Sequence, residues 1–164
     1  MKRLILMRHA KSDWSDLAAS DHERTLNKRG RRSAEAIGDW MRSKSLQPDH
    51  VLCSDAARTR ETLSLLKLDD VPTTVTPRLY LAEPDVMAHE LHSRDEDCIV
   101  MLAHNPGSAM LADMLLAKAP DHPDFDTFPT CATIVADFNI TNWRDLRHGT
   151  GRVVEFIVPR DLIE

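Results

Sequence analysis

At 164 residues the chain has the length of one ordinary domain, enough to bury roughly 70% of the surface its unfolded form exposes and so to build one complete core. Its 21 Lys and Arg stand against 26 Asp and Glu, a formal charge of -5. That balance argues against a surface that wraps nucleic acid, so any anion it binds has to be held locally. Three cysteines, Cys53, Cys98 and Cys131, are odd in number and form no C-x-x-C pair, which points to small buried apolar residues in a reducing compartment rather than a disulfide framework or a thiol-rich zinc site.

In chain order, Lys2 and Arg3 precede only Leu4 to Met7 before charge returns, too few apolar residues for a signal-peptide core or a bilayer span. A soluble cytoplasmic protein with no membrane partner is expected. Leu4 to Met7 reads as a buried strand that ends abruptly at Arg8 and His9. Gly30, Ala34, Ile37 and Met41 share one helical face. Val51 to Cys53 is a second strand, and Thr59, Leu63 and Leu66 mark the helix after it. Val71 to Val75 and Cys98 to Leu102 are further strands, with the appearance of strands covered on both faces. His89 and His92 stand at i, i+3 on a helix between them, and Leu111, Met114 and Leu115 define another, with Met110, Met114 and Leu115 read as core. The Pro- and Asp-rich Lys118 to Thr130 is a long loop within one domain. Cys131 to Phe138 and Val153 to Val158 lack a good helix between them and are expected to pair antiparallel. This order predicts an α/β three-layer sandwich over residues 1–164 as a single domain, with a mostly parallel central sheet of about six strands, one antiparallel edge and helices on both faces.

Open α/β sheets place ligand sites beyond the carboxyl ends of their strands, and three such ends carry the notable residues. The first ends in Arg8-His9. The second runs into "CSDAARTRETL", where Ser54 is a candidate helix cap and Arg58 stands in the first helical turn, and the fourth runs into "LAHNPGS", with His104, the capping candidate Asn105 and Pro106. Two arginines and two histidines thus converge at one edge. A neutral imidazole is a nucleophile that can take a phosphoryl group in line, and water can later hydrolyse the adduct. Guanidinium groups bind phosphoryl oxygens bidentately, and each unit-charge contact at about 4 Å is worth about 4 kcal/mol before desolvation at an effective dielectric of 20. Positive neighbours also lower the pKa of His9, keeping it unprotonated.

The blocks "RHAKSDW", "DHERTLNKRGRRSA", "SDAARTRET" and "HNP", in that order, resemble the histidine phosphatase superfamily, the phosphoglycerate mutase-like group, and are most similar to its small SixA-type phosphohistidine phosphatases. The likeness runs from Met1 to at least Pro106, and the ending "PTCATIVADF...GRVVEFIVPRDL" is similar as well. It implies a hydrolase with His9 as nucleophile, Arg8 and Arg58 as phosphate clamps, and His104 as a further phosphate contact. Ala10 replaces the glycine of the usual Arg-His-Gly motif, which a methyl group tolerates only at negative φ. Ser15 stands where mutase-type members have asparagine, and the chain has no spare length for a long lid, so an open, shallow site is expected.

The general acid is the open assignment. Relatives acting on alkyl phosphates protonate the leaving oxygen with a carboxylic acid after the third strand, where this chain offers Glu83. Such a role calls for a pKa raised by burial. Glu83 is equally read as a solvated residue before Pro84, because the imidazole of a phosphohistidine leaves without a tuned acid. Of the remaining features, Asp21 and Arg24 are candidate tethers of the loop after His9, and Trp14 is a candidate wall. Arg58 could instead pair with Glu61 or Asp55 on a solvated helix face. His22, His50, His89, His92, His122 and His148 show no convincing metal-ligand spacing, so no metal and no cofactor are expected. The favoured reading is a metal-independent phosphatase that forms a covalent phosphohistidine intermediate and acts on phosphohistidine of a partner protein, with phosphate or sulfate also fitting the site. Two alternatives stand beside it: a phosphatase for small phosphomonoesters or diphosphates, and a non-enzymatic module that binds a phosphorylated ligand.

Overall fold

Strand side chains alternate between the two faces of a sheet, and every position from Leu4 to Met7 is apolar, so the first strand has to be covered on both sides. The computed structural model describes residues 1–68 and 70–163, and in it this is what happens. Six strands among these residues form one sheet: β1 (Lys2–Arg8), β2 (His50–Ser54), β3 (Thr73–Thr76), β4 (Cys98–Ala103), β5 (Thr133–Phe138) and β6 (Arg152–Ile157). Their α-helices are α1 (Lys28–Ser43), α2 (Ala57–Leu66), α3 (Pro84–His92) and α4 (Gly107–Leu115).

Leu4 and Leu6 of β1, with Ile99 and Met101 of β4, pack against Met87 and Leu91 of α3 and Leu111 and Leu115 of α4. On the other face Ile5 and Met7, with Val100 and Leu102, meet Ile37 and Met41 of α1 and Leu66 of α2. Helices therefore cover both faces, giving the expected three-layer α/β sandwich. Each fully buried Leu, Ile or Met of this kind contributes about 1.5–3 kcal/mol. Because β1 is apolar on both faces, alternation alone cannot fix its register. Charges at its start do: Lys2 Nζ bonds Asp97 at 2.9 Å, and Arg3 makes a forked pair with Asp137 at 2.7 and 2.9 Å.

The strand order is β3-β2-β4-β1-β5-β6. β3, β2, β4 and β1 run parallel, whereas β5 is antiparallel to both β1 and β6. The expected antiparallel edge pair is present, and its inner member, β5, is the reversed strand. β3 departs from the expectation of strands covered on both faces: it lies at the other edge, begins two residues later than Val71, and leaves Val75 48% exposed. Met110, expected in the core, is 45% exposed, while Leu115 is buried. Cys53 and Cys131 are buried as expected, and Cys98 is half-buried. No helix among the described residues is long and apolar enough to cross a membrane.

The parallel order has a direct consequence for position. Arg8 pairs with Ala103 across β1 and β4, and Cys53 with Leu102 across β2 and β4. The residues that follow, His9, Ser54 and His104, therefore leave the sheet side by side.

Candidate active site

His9 is held through its backbone before its side chain is considered. Its amide donates to the Ala103 carbonyl at 3.1 Å, its carbonyl accepts from Cys131 at 2.9 Å, and the next amide, that of Ala10, donates to Thr62 Oγ1 at 3.0 Å. Thr62 Oγ1 in turn donates to the Arg58 carbonyl at 2.7 Å, which couples the loop after His9 to α2. Ala10 is fully buried and is not among the five non-glycine residues with positive φ, so its methyl group is accommodated. Three of those five touch the site: Leu81 (φ 51) lines it, Phe128 (φ 45) offers its carbonyl to Arg8, and Cys131 (φ 63) donates to His9. Backbone strain of this kind gathers where surrounding structure holds a functional geometry.

His9 is 6% exposed. Nδ1 lies 2.7 Å from the Ala10 carbonyl, an acceptor only, so Nδ1 carries the proton. Nε2 is left with its lone pair, and Arg58 Nε donates toward it at 3.4 Å. Burial first, then Arg58 and Arg8, lowers the pKa of His9 to about 4, although the Ala10 bond opposes the shift. At neutral pH Nε2 is a free base facing cations.

Arg58 does not pair with Glu61 or Asp55. Its Nη1 donates to the Asp21 carbonyl at 2.6 Å and its Nη2 to the Asp21 carboxylate at 3.0 Å. Tyr80 donates its hydroxyl to the same carboxylate. The Tyr80 bond and Arg58 hold the Asp21 carboxyl below the usual range despite partial burial. Glu61 instead accepts from the Leu26 amide at 2.8 Å. Asp21 thus anchors Arg58, and tethering of the loop falls to Arg24, which donates to the Asp16 carbonyl at 3.0 Å and stacks on Trp14 at 4.0 Å.

His104 is 1% exposed, with its ring 5.2 Å from that of His9. Its Nε2 lies 2.8 Å from Ser54 Oγ, which itself accepts from the Ala56 amide at 3.3 Å. Ser54 therefore serves as a rest for His104, and the N-cap of α2 is Ala56. Burial, then His9 and Arg58, lower the pKa of His104 to about 3, making it a neutral donor at physiological pH. Tyr80 packs edge-on against it at 5.3 Å. His104 Nδ1 and Arg8 Nε are buried without a hydrogen-bond partner among the described residues. Asn105 ties the pocket to the long loop through bonds to the Thr127 and Phe128 carbonyls, and its side-chain oxygen accepts from Ala109 at 3.2 Å at the start of α4.

Arg8, His9, Arg58 and His104 line one pocket of about 300 Å³, with Lys11, Ser12, Trp14, Leu81, Asn105 and Thr130 as the other lining residues. Its lining contains no carboxylate. Glu83 stands apart as the exposed N-cap of α3, so the burial that a tuned acid requires is missing. Ser15 is likewise exposed and outside the pocket. Tyr80, Ser54 and Thr62 support the pocket residues through these contacts, and sequence reading does not single them out in these roles, because no spacing signal marks them.

The histidine phosphatase superfamily (branch 1) model matches residues 4–95. An uncharacterised protein of Mycobacterium tuberculosis is 34% identical over 161 residues, spanning 94% of this chain and 100% of that relative. Among solved structures, the SixA protein of Nakamurella multipartitia, a candidate phosphohistidine phosphatase, is 26% identical with a TM-score of 0.82 and 96% of each chain covered. The protein histidine phosphatase SixA complexed with tungstate shares the fold at a TM-score of 0.79 and 20% identity, over 98% of this chain and 99% of that one.

Proposed function

The chain belongs to the histidine phosphatase superfamily, branch 1, and on that premise we propose that residues 1–164 form a single metal-independent phosphatase domain that removes phosphate from phosphohistidine on a protein. The observation that carries this reading is the pairing of a fixed Nδ1–H with a free Nε2 on His9, 3.4 Å from the guanidinium of Arg58. The substrate's phosphohistidine ring enters protonated by solvent on its other nitrogen; His9 Nε2 attacks phosphorus in line, the N–P bond of the substrate breaks, and the substrate imidazole keeps that proton and departs as a neutral ring. Arg8, Arg58 and His104 hold the equatorial oxygens, where the charge of the transition state resides. The unpartnered Arg8 Nε and His104 Nδ1 supply donors for those oxygens. In the second step water adds to phosphorus, the His9 Nε2–P bond breaks, and the water proton leaves with inorganic phosphate.

The substrate choice is supported by the leaving group. An alkoxide needs a proton, yet no carboxyl group lines the pocket, and the nearby Asp21 is kept ionised by Tyr80 and Arg58. An imidazole takes its proton from solvent on the ring nitrogen away from phosphorus, before the bond breaks, and needs none from the enzyme. Rapid-quench mixing with a radiolabelled phosphohistidine protein should leave an alkali-stable, acid-labile phosphoryl group on this chain. His9→Ala should abolish that label and slow release at least about a thousandfold. Phosphate release without label in the wild type, or label that persists in the variant, overturns the covalent mechanism.

A further inference from the structure

The pocket around His9 is not isolated. A second cleft of about 280 Å³ adjoins it, and Lys11 and Thr130 line both. Its wall includes Arg29, Arg160 and Ser33, so three cations face one carboxylate, that of Asp124, which lies 4.0 Å from Arg160. Lys11 and Arg29 take part in no ion pair among the described residues. Ser33, on the first turns of α1, is 4% exposed. All this sits on a chain whose formal charge is -5.

The placement of these charges runs against helix stability. α1 opens with Lys28, Arg29, Arg31 and Arg32 and has no acidic residue in its first turn, although the amino end of a helix is its positive pole. The close approach that creates the cleft is equally specific. A methyl group at Gly30 would stand 2.1 Å from the Lys11 carbonyl, so only glycine lets the first turn of α1 press Arg29 beside Lys11. The cost of collecting cations at that pole is rational if they meet an anion there.

We propose that this cleft is an anion subsite that takes a second negative group of the substrate whose phosphoryl group reaches His9. The inference deepens the phosphatase reading and rests on it. The chemistry it recognises is a carboxylate or phosphate, supplied either by an acidic residue flanking the phosphohistidine or by the second phosphate of a small molecule.

The test compares wild type with Arg29→Ser/Arg160→Ser, two exposed positions outside the catalytic pocket. The substrates are phosphoramidate, a phosphohistidine peptide flanked by Glu, the same peptide flanked by Ala, and pyrophosphate. The expected result is an approximately tenfold rise in KM for the Glu peptide with kcat unchanged, while phosphoramidate and the Ala peptide stay within about twofold. A KM rise for pyrophosphate alone keeps the subsite and assigns it to two-phosphate ligands. Equal losses on every substrate, or none on any, overturn the subsite. Calorimetric titration with pyrophosphate in the His9→Ala background reads the cleft without turnover: binding about tenfold weaker once Arg29→Ser/Arg160→Ser is added supports it, and equal binding overturns it. Should that binding difference appear while the wild type hydrolyses no P–N bond, the phosphatase reading would be refuted instead. Arg29→Glu adds a stability readout, with Tm expected to rise by about 1–3 °C as the charge at the helix pole is reversed.

Discussion

The protonation of His9 is the property on which its chemistry turns, and it can be measured directly. An ordinary imidazole, with a pKa near 6.5, is about nine-tenths protonated at pH 5.5. His9 at about 4 would be about 97% neutral at that pH. The difference is worth about 3 kcal/mol, and its largest source is burial, followed by Arg58 and Arg8. Titration of the resting enzyme by nitrogen NMR of the histidine rings should therefore show His9 proton-free at Nε2 and protonated at Nδ1 down to about pH 5, with a midpoint near 4. The same shift affects folding. Because the folded pKa lies below the unfolded one, the unfolded chain takes up the proton first as pH falls below about 6.5. Stability is then lost across the window from about 6.5 to about 4 and levels off below it, by about 3 kcal/mol from this residue. His104, lowered to about 3, acts in the same direction. Denaturant unfolding of wild type and His9→Asn should show a steeper acid loss in the wild type. A His9 midpoint between 6 and 7, or a proton found on Nε2, would refute the reasoning.

Asp21→Asn keeps the backbone carbonyl that Arg58 uses but removes the charge that holds its second nitrogen. Discounted for the 43% exposure of that carboxylate, the loss should be about 1–2 kcal/mol, seen as roughly a 5- to 30-fold drop in kcat/KM; an unchanged value would show that Arg58 is fixed without Asp21. Glu83→Gln should alter turnover by less than about twofold on any substrate, because the side chain is exposed and outside the pocket; a loss of about a hundredfold on alkyl phosphates would reinstate it as the acid. Gly30→Ala should destabilise the protein by about 2 kcal/mol or more in denaturant titration, since its methyl group meets the Lys11 backbone at 2.1 Å, and an unchanged midpoint would mean that α1 shifts freely.

The strands are legible in the sequence because their apolar runs are short and bounded, and the parallel order of β1, β2 and β4 explains why residues at strand ends converge. Arg8, His9, Arg58 and His104 can thus be brought together from sequence alone. The cover over β3 is not legible, because an edge position depends on the whole strand order, and Val75 looks the same at an edge as in the middle. The same limit applies to the supports of the site. Asp21 lies 37 residues from Arg58 and 59 from Tyr80, and no periodicity links three single residues across such separations.

The pocket wall carries a further kind of information that residue type hides. Phe128 and Cys131 adopt left-handed backbone angles that a glycine would announce. Cys131 reads as a small buried residue and Phe128 as part of the long Lys118 to Thr130 loop, and both are fully buried. Their apolar burial is what holds the unfavourable angles, and those angles aim the Phe128 carbonyl at Arg8 and the Cys131 amide at His9. One set of side chains therefore serves packing and the geometry of the pocket together. A substitution that empties this part of the core should disturb Arg8 and His9 before it unfolds the sheet, because β1 is independently fixed by Lys2, Arg3 and its two neighbouring strands.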